Sequence, residues 1–265
     1  TTDVENYPGY EDPVQGPWLM EQMKKQSENV GTNVISSMVT SVDLNSKVKK
    51  IILDDGTEIH SKTVIISTGA QASWLNAKNE DKLKGFGISA CATCDGFFFK
   101  DKIVAVVGGG NSAAEEALFL TNFASKVYLI HRRDKLRSEK ILQDRLTKNS
   151  KIEFLWNKQV EEYLGDKNLN GVLLSDTITS ERTELQIDGL FVAIGHDPAT
   201  RIFKDKLDMD NDGYIITKPD STETNISGVY AAGDVKDKIY RQAVTAAGMG
   251  CMAALEAEKY ISEGN

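Results

Sequence analysis

The sequence has few cysteines, no long apolar run and no excess of positive charge. Its 265 residues include 3 cysteines, and 31 Lys and Arg against 39 Asp and Glu give a formal net charge of −8. Three cysteines are too few for a secreted disulfide framework. Apolar runs such as Ile103 to Val107 are far shorter than the ~20 residues that span a bilayer. We therefore predict a globular protein without a membrane or nucleic-acid partner, since nucleic acid requires concentrated positive charge.

The sequence also lacks an amino-terminal signal segment and an initiating methionine. It begins at Thr1, so we expect further sequence upstream of this residue. No internal repeat or low-complexity tract interrupts it. At ~150 residues per domain, the length suits two domains, each large enough to form its own core without disulfides or metals.

A strand–turn–helix pattern in the middle of the chain indicates a nucleotide-binding site. The strand Ile103 to Val107 leads into Gly108 to Ala113, which matches G-x-G-x-x-A. A helix and the strand Lys126 to Ile130 complete a βαβ unit, the setting in which this motif binds dinucleotides. The glycines permit a tight turn and close approach of a pyrophosphate, and the helix N-terminus offers N–H groups to the anion. The candidate residues are Gly108, Gly110, Asn111, Ser112 and Ala113.

The residues after the second strand favour NADPH over NADH. An NAD site places an Asp or Glu there, about 20 residues after the glycine motif, to bind the ribose 2′-hydroxyl. Here that place holds His131, Arg132 and Arg133, and Arg137 follows. Planar guanidinium groups suit a 2′-phosphate. The alternative is an exposed basic strand end without a ligand.

Cys91 and Cys94 form a C-x-x-C pair that indicates redox chemistry. Zinc would require two more ligands, and the chain offers only Cys251 and three scattered histidines, so we predict no metal site. A dithiol that alternates with a disulfide fits this spacing, and Asp95 could move protons during exchange. The alternative is a pair of buried thiols without a redox role. Cys251 lies among small residues of a predicted helix, where we expect a packed core thiol.

Glycine-ended strands mark further candidate ligand positions. The strand Thr63 to Ser67, predicted to be buried on both faces, stops at Gly69, and the strand Gly228 to Ala232 stops at Gly233. Asp234 follows, where an aspartate either accepts hydrogen bonds from ligand hydroxyls or caps the next helix. Other predicted elements are a helix ending before Gly31, β-prone stretches Val34 to Leu44 and Lys47 to Leu53, and helices from about Glu139 to Lys148 and Tyr240 to Tyr260.

In order and spacing, these motifs together resemble the bacterial low-molecular-weight thioredoxin reductases. The resemblance rests on four segments and covers essentially the whole chain: Cys91 to Gly96, Gly108 to Ala113, His131 to Arg133, and Gly233 to Ala243. The opening residues Thr1 to Gly9, TTDVENYPG, are also similar to that family.

The resemblance implies an α/β fold with two Rossmann-like nucleotide-binding domains, in which the NADPH domain is inserted into a split FAD domain. Residues 1–72 would form the first part of the FAD domain, without its N-terminal strand and glycine motif. Residues 73–197 would form the NADPH domain with the C-x-x-C pair, and residues 198–265 the second part of the FAD domain. The family is cytoplasmic and homodimeric, and we expect the same here.

The resemblance also implies the activity. Electrons would pass from NADPH through FAD to the Cys91–Cys94 disulfide and then to oxidised thioredoxin. Cys94 would face the flavin, Cys91 would attack the partner disulfide, and Asp95 would donate and accept the proton. The residues that would contact FAD are Asn6, Thr68, Gly69, Gly233, Asp234, Arg241, Gln242 and Ala243.

The sequence departs from the family at its amino terminus. Family members begin with a strand and a glycine motif that hold the FAD pyrophosphate, and nothing before Tyr10 supplies these. Either the chain is a fragment, the interpretation that we favour, or it has lost tight flavin binding. Two alternatives remain open: the flavoprotein of an alkyl hydroperoxide reductase, which carries extra N-terminal domains, and a non-catalytic NADPH-binding module. Related ferredoxin reductases are disfavoured because they lack the C-x-x-C pair.

Overall fold

The computed structural model describes residues 3–264 and divides into two compact units. The first unit comprises the segment up to Asn6, Glu11–Trp18 and Ala72–Gly195. The second comprises Tyr7–Tyr10, Leu19–Gln71 and the chain from His196 onward. The limits 1–72, 73–197 and 198–265, and the cofactor assigned to each, stay a prediction.

The elements are named in chain order. The helices are α1 Gly16–Asn29, α2 Glu80–Leu83, α3 Ala92–Asp95, α4 Asn111–Leu120, α5 Lys140–Lys148 and α6 Ala243–Ser262. The strands are β1 Asp3–Val4, β2 Val14–Gln15, β3 Val39–Asp43, β4 Lys49–Leu53, β5 Glu58–Ser61, β6 Val64–Ile66, β7 Ala70–Ala72, β8 Ile88–Ser89, β9 Ile103–Gly108, β10 Lys126–His131, β11 Ile152–Trp156, β12 Lys158–Gly165, β13 Leu169–Asp176, β14 Arg182–Gln186, β15 Gly189–Ala193, β16 His196–Pro198 and β17 Val229–Ala231.

The first unit is built on a five-stranded parallel sheet in the order β11-β10-β9-β15-β8. The antiparallel strands β12, β13 and β14 form a separate three-stranded sheet. The predicted βαβ unit is confirmed, because β9, α4 and β10 follow one another and the two strands pair in parallel. The carboxyl ends of the parallel strands therefore lie at one edge of the sheet.

The two faces of the parallel sheet pack against different layers. Along β9 the side chains alternate, since successive residues of a strand point to opposite faces. Val104 and Val106 pack in the cluster that contains the buried alanines of α4. Ala105 and Val107 pack in a second cluster with residues of β12 and β13. The unit therefore has three layers: helices, parallel sheet and antiparallel sheet.

A buried carboxylate holds the segment that precedes α2. Glu80 is 3% exposed and accepts the backbone N–H groups of Leu75 at 3.1 Å and Asn76 at 2.8 Å. The fully buried Tyr163 of β12 donates its hydroxyl to Glu80 Oε1 at 2.8 Å. Burial, with the Glu80 carboxylate contributing less, raises the pKa of Tyr163 far above its usual range, so the hydroxyl keeps its proton.

The second unit contains the parallel pair β6 and β17 and the antiparallel sheet β3-β4-β5. Val229 and Ala231 of β17 pack in a core with Ile66 of β6. Tyr230 lies on the other face of β17 and packs against Ala253 of α6. Helix α6 thus covers one face of this strand pair.

Two sequence expectations for the strands of this unit were wrong. Ile65 of β6 is 40% exposed and lines an open groove of about 420 Å³ together with residues of α6, so the strand is not buried on both faces. The stretch predicted from Val34 is a strand only from Val39 to Asp43. Its partner β4 ends at Leu53, opposite Val39, so the ladder between these two strands stops there.

Helix α6 begins three residues later than predicted. Arg241 has a φ of 49°, a left-handed conformation that does not belong in a right-handed helix. The side chain of Gln242 and that of Thr245 form a capping box at the start of the helix. Across residues 3–264, no helix combines the length and apolar character that crossing a membrane requires.

We expect Tyr163→Phe to destabilise the first unit by about 1.5–3 kcal/mol, because it removes a hydrogen bond to a buried carboxylate but keeps the ring. The free energy of unfolding in urea, followed by circular dichroism, measures the effect. Tyr240, which is 65% exposed, provides the control Tyr240→Phe, and this variant should match the unmodified protein. Equal stability of Tyr163→Phe and the control would contradict the role assigned to Glu80.

Candidate active site

Cys91 and Cys94 lie at the start of α3, after strand β8, and are joined by a disulfide. Both side chains are half-buried. The predicted intramolecular bridge is therefore present. Helix α3 has only four residues, and its short turn brings positions 91 and 94 together.

Asp95 is held next to this disulfide by Ser89, the last residue of β8. The Ser89 hydroxyl donates to Asp95 Oδ2 at 2.6 Å and accepts the backbone N–H of Cys91 at 3.0 Å. Ser89 is buried, so few waters compete for these bonds. Sequence reasoning missed Ser89. A small hydroxyl residue at a strand end, two residues before a C-x-x-C pair, was the available signal.

The glycine motif occupies the turn between β9 and α4, at the carboxyl edge of the parallel sheet. A Cβ at Gly108 would collide with the Ala193 carbonyl and with Ala113, so this position excludes every larger residue. A Cβ at Gly110 would meet nothing within 4 Å, so the space in front of it is open. An open backbone beside a helix N-terminus fits a pyrophosphate.

The predicted 2′-phosphate residues follow β10 at the same edge. Arg132, Arg133 and Arg137 are all exposed. His131 ends the strand and is buried, and burial is the largest cause of the lowered pKa of its ring. The three guanidinium groups thus lie in a segment adjacent to the glycine turn, where a 2′-phosphate could bind them. Their contact with NADPH stays a prediction.

The second unit has a cavity of about 380 Å³ where β6 and β17 end and α6 begins. Six of the predicted FAD residues line it together with Ser67, Ala232 and Ala246: Gly69, Gly233, Asp234, Arg241, Gln242 and Ala243. Burial raises the pKa of Asp234, and the charge of Asp237 adds to the effect. A carboxylate at a strand end can accept hydrogen bonds from ribose hydroxyls. The helix N-terminus beside it can face an electron-rich ring edge.

Asp237, another residue that sequence reasoning missed, shapes this cavity. It is buried, and its carboxylate accepts the backbone N–H groups of Ile239 at 3.0 Å, Tyr240 at 2.9 Å and Arg241 at 3.0 Å. These bonds order the loop that carries Arg241 to the start of α6. The available signal was an aspartate in the loop just before a predicted helix, since Asp side chains often accept the backbone N–H groups of the residues that follow them, as in Asx turns.

Not every predicted residue lies at the cavity. The Thr68 hydroxyl donates to the Ala199 carbonyl at 2.8 Å, and Thr68 stands between two lining residues. Asn6 is grouped with the first unit, and its contact with FAD stays a prediction. Thr1 and Thr2, part of the opening segment that resembles the family, lie outside the described residues.

The expectation of a packed core thiol at Cys251 was wrong. The residue is exposed, as a free cysteine. Helix α6 buries Ala253 and Ala257, and a residue two positions before Ala253 lies on roughly the opposite side of an α-helix. The small residues around Cys251 therefore do not all face the core.

Comparison with known proteins identifies the family of this chain. Residues 1–250 match the family described as pyridine nucleotide-disulphide oxidoreductase. A thioredoxin reductase of Rickettsia conorii is 57% identical over 99% of this chain and 86% of its own length. A thioredoxin reductase of Coxiella burnetii is 50% identical over 100% of this chain and 85% of its own length.

A solved structure shows the same relationship. The crystal structure of thioredoxin reductase from Streptococcus pyogenes matches with a TM-score of 0.94 at 40% identity, covering 99% of this chain and 85% of that one. The expected α/β fold with Rossmann-like nucleotide-binding domains is confirmed by this likeness. The chain belongs to the pyridine nucleotide-disulphide oxidoreductase family and, within it, to the thioredoxin reductases.

Proposed function

We propose that this chain is an NADPH-dependent thioredoxin-disulfide reductase, a flavoprotein that passes electrons to oxidised thioredoxin. The observation that carries the proposal is the Cys91–Cys94 disulfide, with Asp95 fixed beside it through Ser89. Strand β8, which leads to the redox pair, belongs to the same parallel sheet as the strands that end at the glycine turn and the arginine segment. The names of the relatives at 50–57% identity agree with this activity.

The residues present fit both cofactors. For NADPH, the open backbone at Gly110 would face the pyrophosphate and the exposed arginines the 2′-phosphate. For FAD, Asp234 and the loop before α6 would hold the part of the cofactor that enters the 380 Å³ cavity. Bound FAD would supply two-electron transfer between NADPH and the Cys91–Cys94 disulfide.

The chain's own residues carry out the thiol chemistry. Two electrons and two protons convert the Cys91–Cys94 disulfide to two thiols, and Asp95 is placed to exchange a proton with a thiolate. The Cys91 thiolate attacks one sulfur of oxidised thioredoxin, whose disulfide breaks as a mixed disulfide forms. The Cys94 thiolate then attacks the Cys91 sulfur, which restores the internal disulfide and releases reduced thioredoxin. The division of roles between the cysteines follows the family resemblance.

The surface near the redox pair supports a protein partner. Phe97 and Phe98, three and four residues after Cys94, are 55% and 40% exposed. Exposed aromatic side chains next to a reactive disulfide are typical of a docking surface. We propose thioredoxin as this partner, a homodimer as the assembly and the cytoplasm as the location, where a dithiol is kept reduced. The proposal includes no nucleic acid and no membrane.

The visible absorbance of the purified protein supplied with FAD tests the proposal. Flavin bands should remain after desalting and should bleach when NADPH is added without oxygen. A colourless protein that still binds NADPH would favour a non-catalytic binding module. A protein that bleaches but does not reduce thioredoxin would favour another disulfide substrate.

Cys91→Ser should abolish thioredoxin reduction, because the attacking thiolate is lost, yet keep reduction of the flavin by NADPH. Steady-state turnover with thioredoxin and anaerobic flavin bleaching measure the two steps separately. Cys251→Ser is the matched control, since Cys251 is an exposed free thiol, and it should retain full turnover. Turnover by Cys91→Ser would contradict the assignment of the redox pair.

The double variant Arg132→Ala with Arg133→Ala should weaken NADPH binding by about 1.5–3 kcal/mol for each lost charge-assisted contact, and NADH binding far less. Dissociation constants for both nucleotides measure the difference. Arg182→Ala is the control, because Arg182 lies on β14 and pairs with Glu161 at 2.7 Å. Equal losses for NADPH and NADH would disprove recognition of the 2′-phosphate.

Ser89→Ala should slow thiol–disulfide exchange with thioredoxin about 10-fold, since a hydrogen bond to a charged group contributes at least about 1.4 kcal/mol. Reduction of the flavin by NADPH should stay unchanged. Single-turnover kinetics resolve the two steps, and Ser89→Thr, which keeps the hydroxyl, should restore most of the rate. An exchange rate in Ser89→Ala equal to that of the unmodified protein would remove Ser89 from the site.

A further inference from the structure

Two segments assigned to different phosphates of one dinucleotide are hydrogen bonded to each other. The glycine turn, Gly108 to Ala113, would hold the pyrophosphate, and the arginine segment, Arg132 to Arg137, the 2′-phosphate. The Arg137 backbone N–H donates to the Gly109 carbonyl at 2.7 Å. The last residue of the arginine segment is thus tied directly to the middle of the glycine turn.

A second connection involves the side chain of Asn111, the first residue of α4. Its Oδ1 accepts the backbone N–H of Glu139 at 2.8 Å, and its Nδ2 donates to Glu139 Oε1 at 3.1 Å. Glu139 immediately precedes α5. Both polar atoms of the carboxamide are therefore engaged with one residue, and this reciprocal pair joins the starts of two helices.

The residue types suit this pair. Asparagine is short and carries a donor and an acceptor on one planar group, which match the carboxylate and the backbone N–H of Glu139. An aspartate in its place would lose the donor and place a second carboxylate against the first. Gly109, whose carbonyl accepts the first of these bonds, packs so closely on the buried His131 ring that a Cβ there would collide with it.

We propose that Asn111 is a positioning residue for nucleotide selectivity: through Glu139 it fixes the arginine segment in register with the glycine turn. The inference rests on the proposed function, in which that segment reads the 2′-phosphate. Exposed arginines on a fixed segment lose less conformational entropy on binding than arginines on a mobile one. Asn111 thus favours NADPH over NADH although its own side chain is engaged within the protein.

This role differs measurably from direct binding. A side chain that touched the pyrophosphate would act on a group that NADPH and NADH share, so its loss would weaken both equally. A side chain that positions the arginine segment acts on the 2′-phosphate, which NADPH alone carries. The ratio of the two dissociation constants therefore separates the two roles.

The test measures dissociation constants for NADPH and NADH in Asn111→Ala, Glu139→Ala and the double variant. We expect Asn111→Ala to weaken NADPH about 10-fold and NADH less than about 2-fold. Glu139→Ala should have a smaller effect in the same direction, because its backbone N–H still donates to Asn111. The double variant should be no weaker than Asn111→Ala, since both residues form one interaction.

Two further variants separate loss of the hydrogen bonds from loss of side-chain volume. Glu139→Gln retains an oxygen acceptor and should bind both nucleotides as the unmodified protein does. Asn111→Asp, which keeps the size of the side chain, should lose selectivity at least as strongly as Asn111→Ala. Hydrogen exchange of residues 132–137 should accelerate in both Asn111 variants, which reports on the arginine segment without any ligand.

Equal weakening of NADPH and NADH in Asn111→Ala would overturn the proposal and indicate direct contact with the shared part of the dinucleotide. Unchanged binding of both would also overturn it. Failure of the proposed function is recognised separately, because the unmodified protein would then bind NADH as tightly as NADPH.

Discussion

The parallel sheet of the first unit is the constraint on which the candidate site depends. Because its strands run in one direction, their carboxyl ends meet at a single edge. Ser89 ends β8, Gly108 ends β9 and His131 ends β10, so three distant stretches of sequence contribute to that edge. The chemistry of each is local, but their common location follows from backbone hydrogen bonding between strands.

Side chains that accept backbone N–H groups hold four irregular segments in the two units. Glu80 holds the segment before α2, and Asp237 orders the loop before α6. Asn111 accepts the backbone N–H of Glu139, and the Ser89 hydroxyl accepts that of Cys91. In each case one polar group satisfies donors that irregular backbone leaves without a secondary-structure partner.

Short-range patterns in the sequence predicted the parts of the site that depend on neighbouring residues. The glycine turn, the C-x-x-C disulfide and the βαβ unit each occupy a continuous stretch, and the structure has all three. Predictions that needed a distant partner were less successful. Cys251 is exposed although its neighbours are small, and Ile65 is 40% exposed although its strand is apolar. Burial depends on what packs against a residue, and periodicity alone does not specify that partner.

The sequence by itself determined the chemical groups and their local geometry: a dithiol pair, a glycine turn at a helix N-terminus and a cluster of arginines. These follow from residue type and from spacing within one turn or strand end. Only the tertiary structure decided how the groups are held. Ser89 donates a hydrogen bond to Asp95, Asp237 accepts backbone N–H groups of its loop, and Asn111 pairs with Glu139. The Asn111–Glu139 pair joins residues 28 positions apart, and its distances near 3 Å depend on how the helices and the sheet pack.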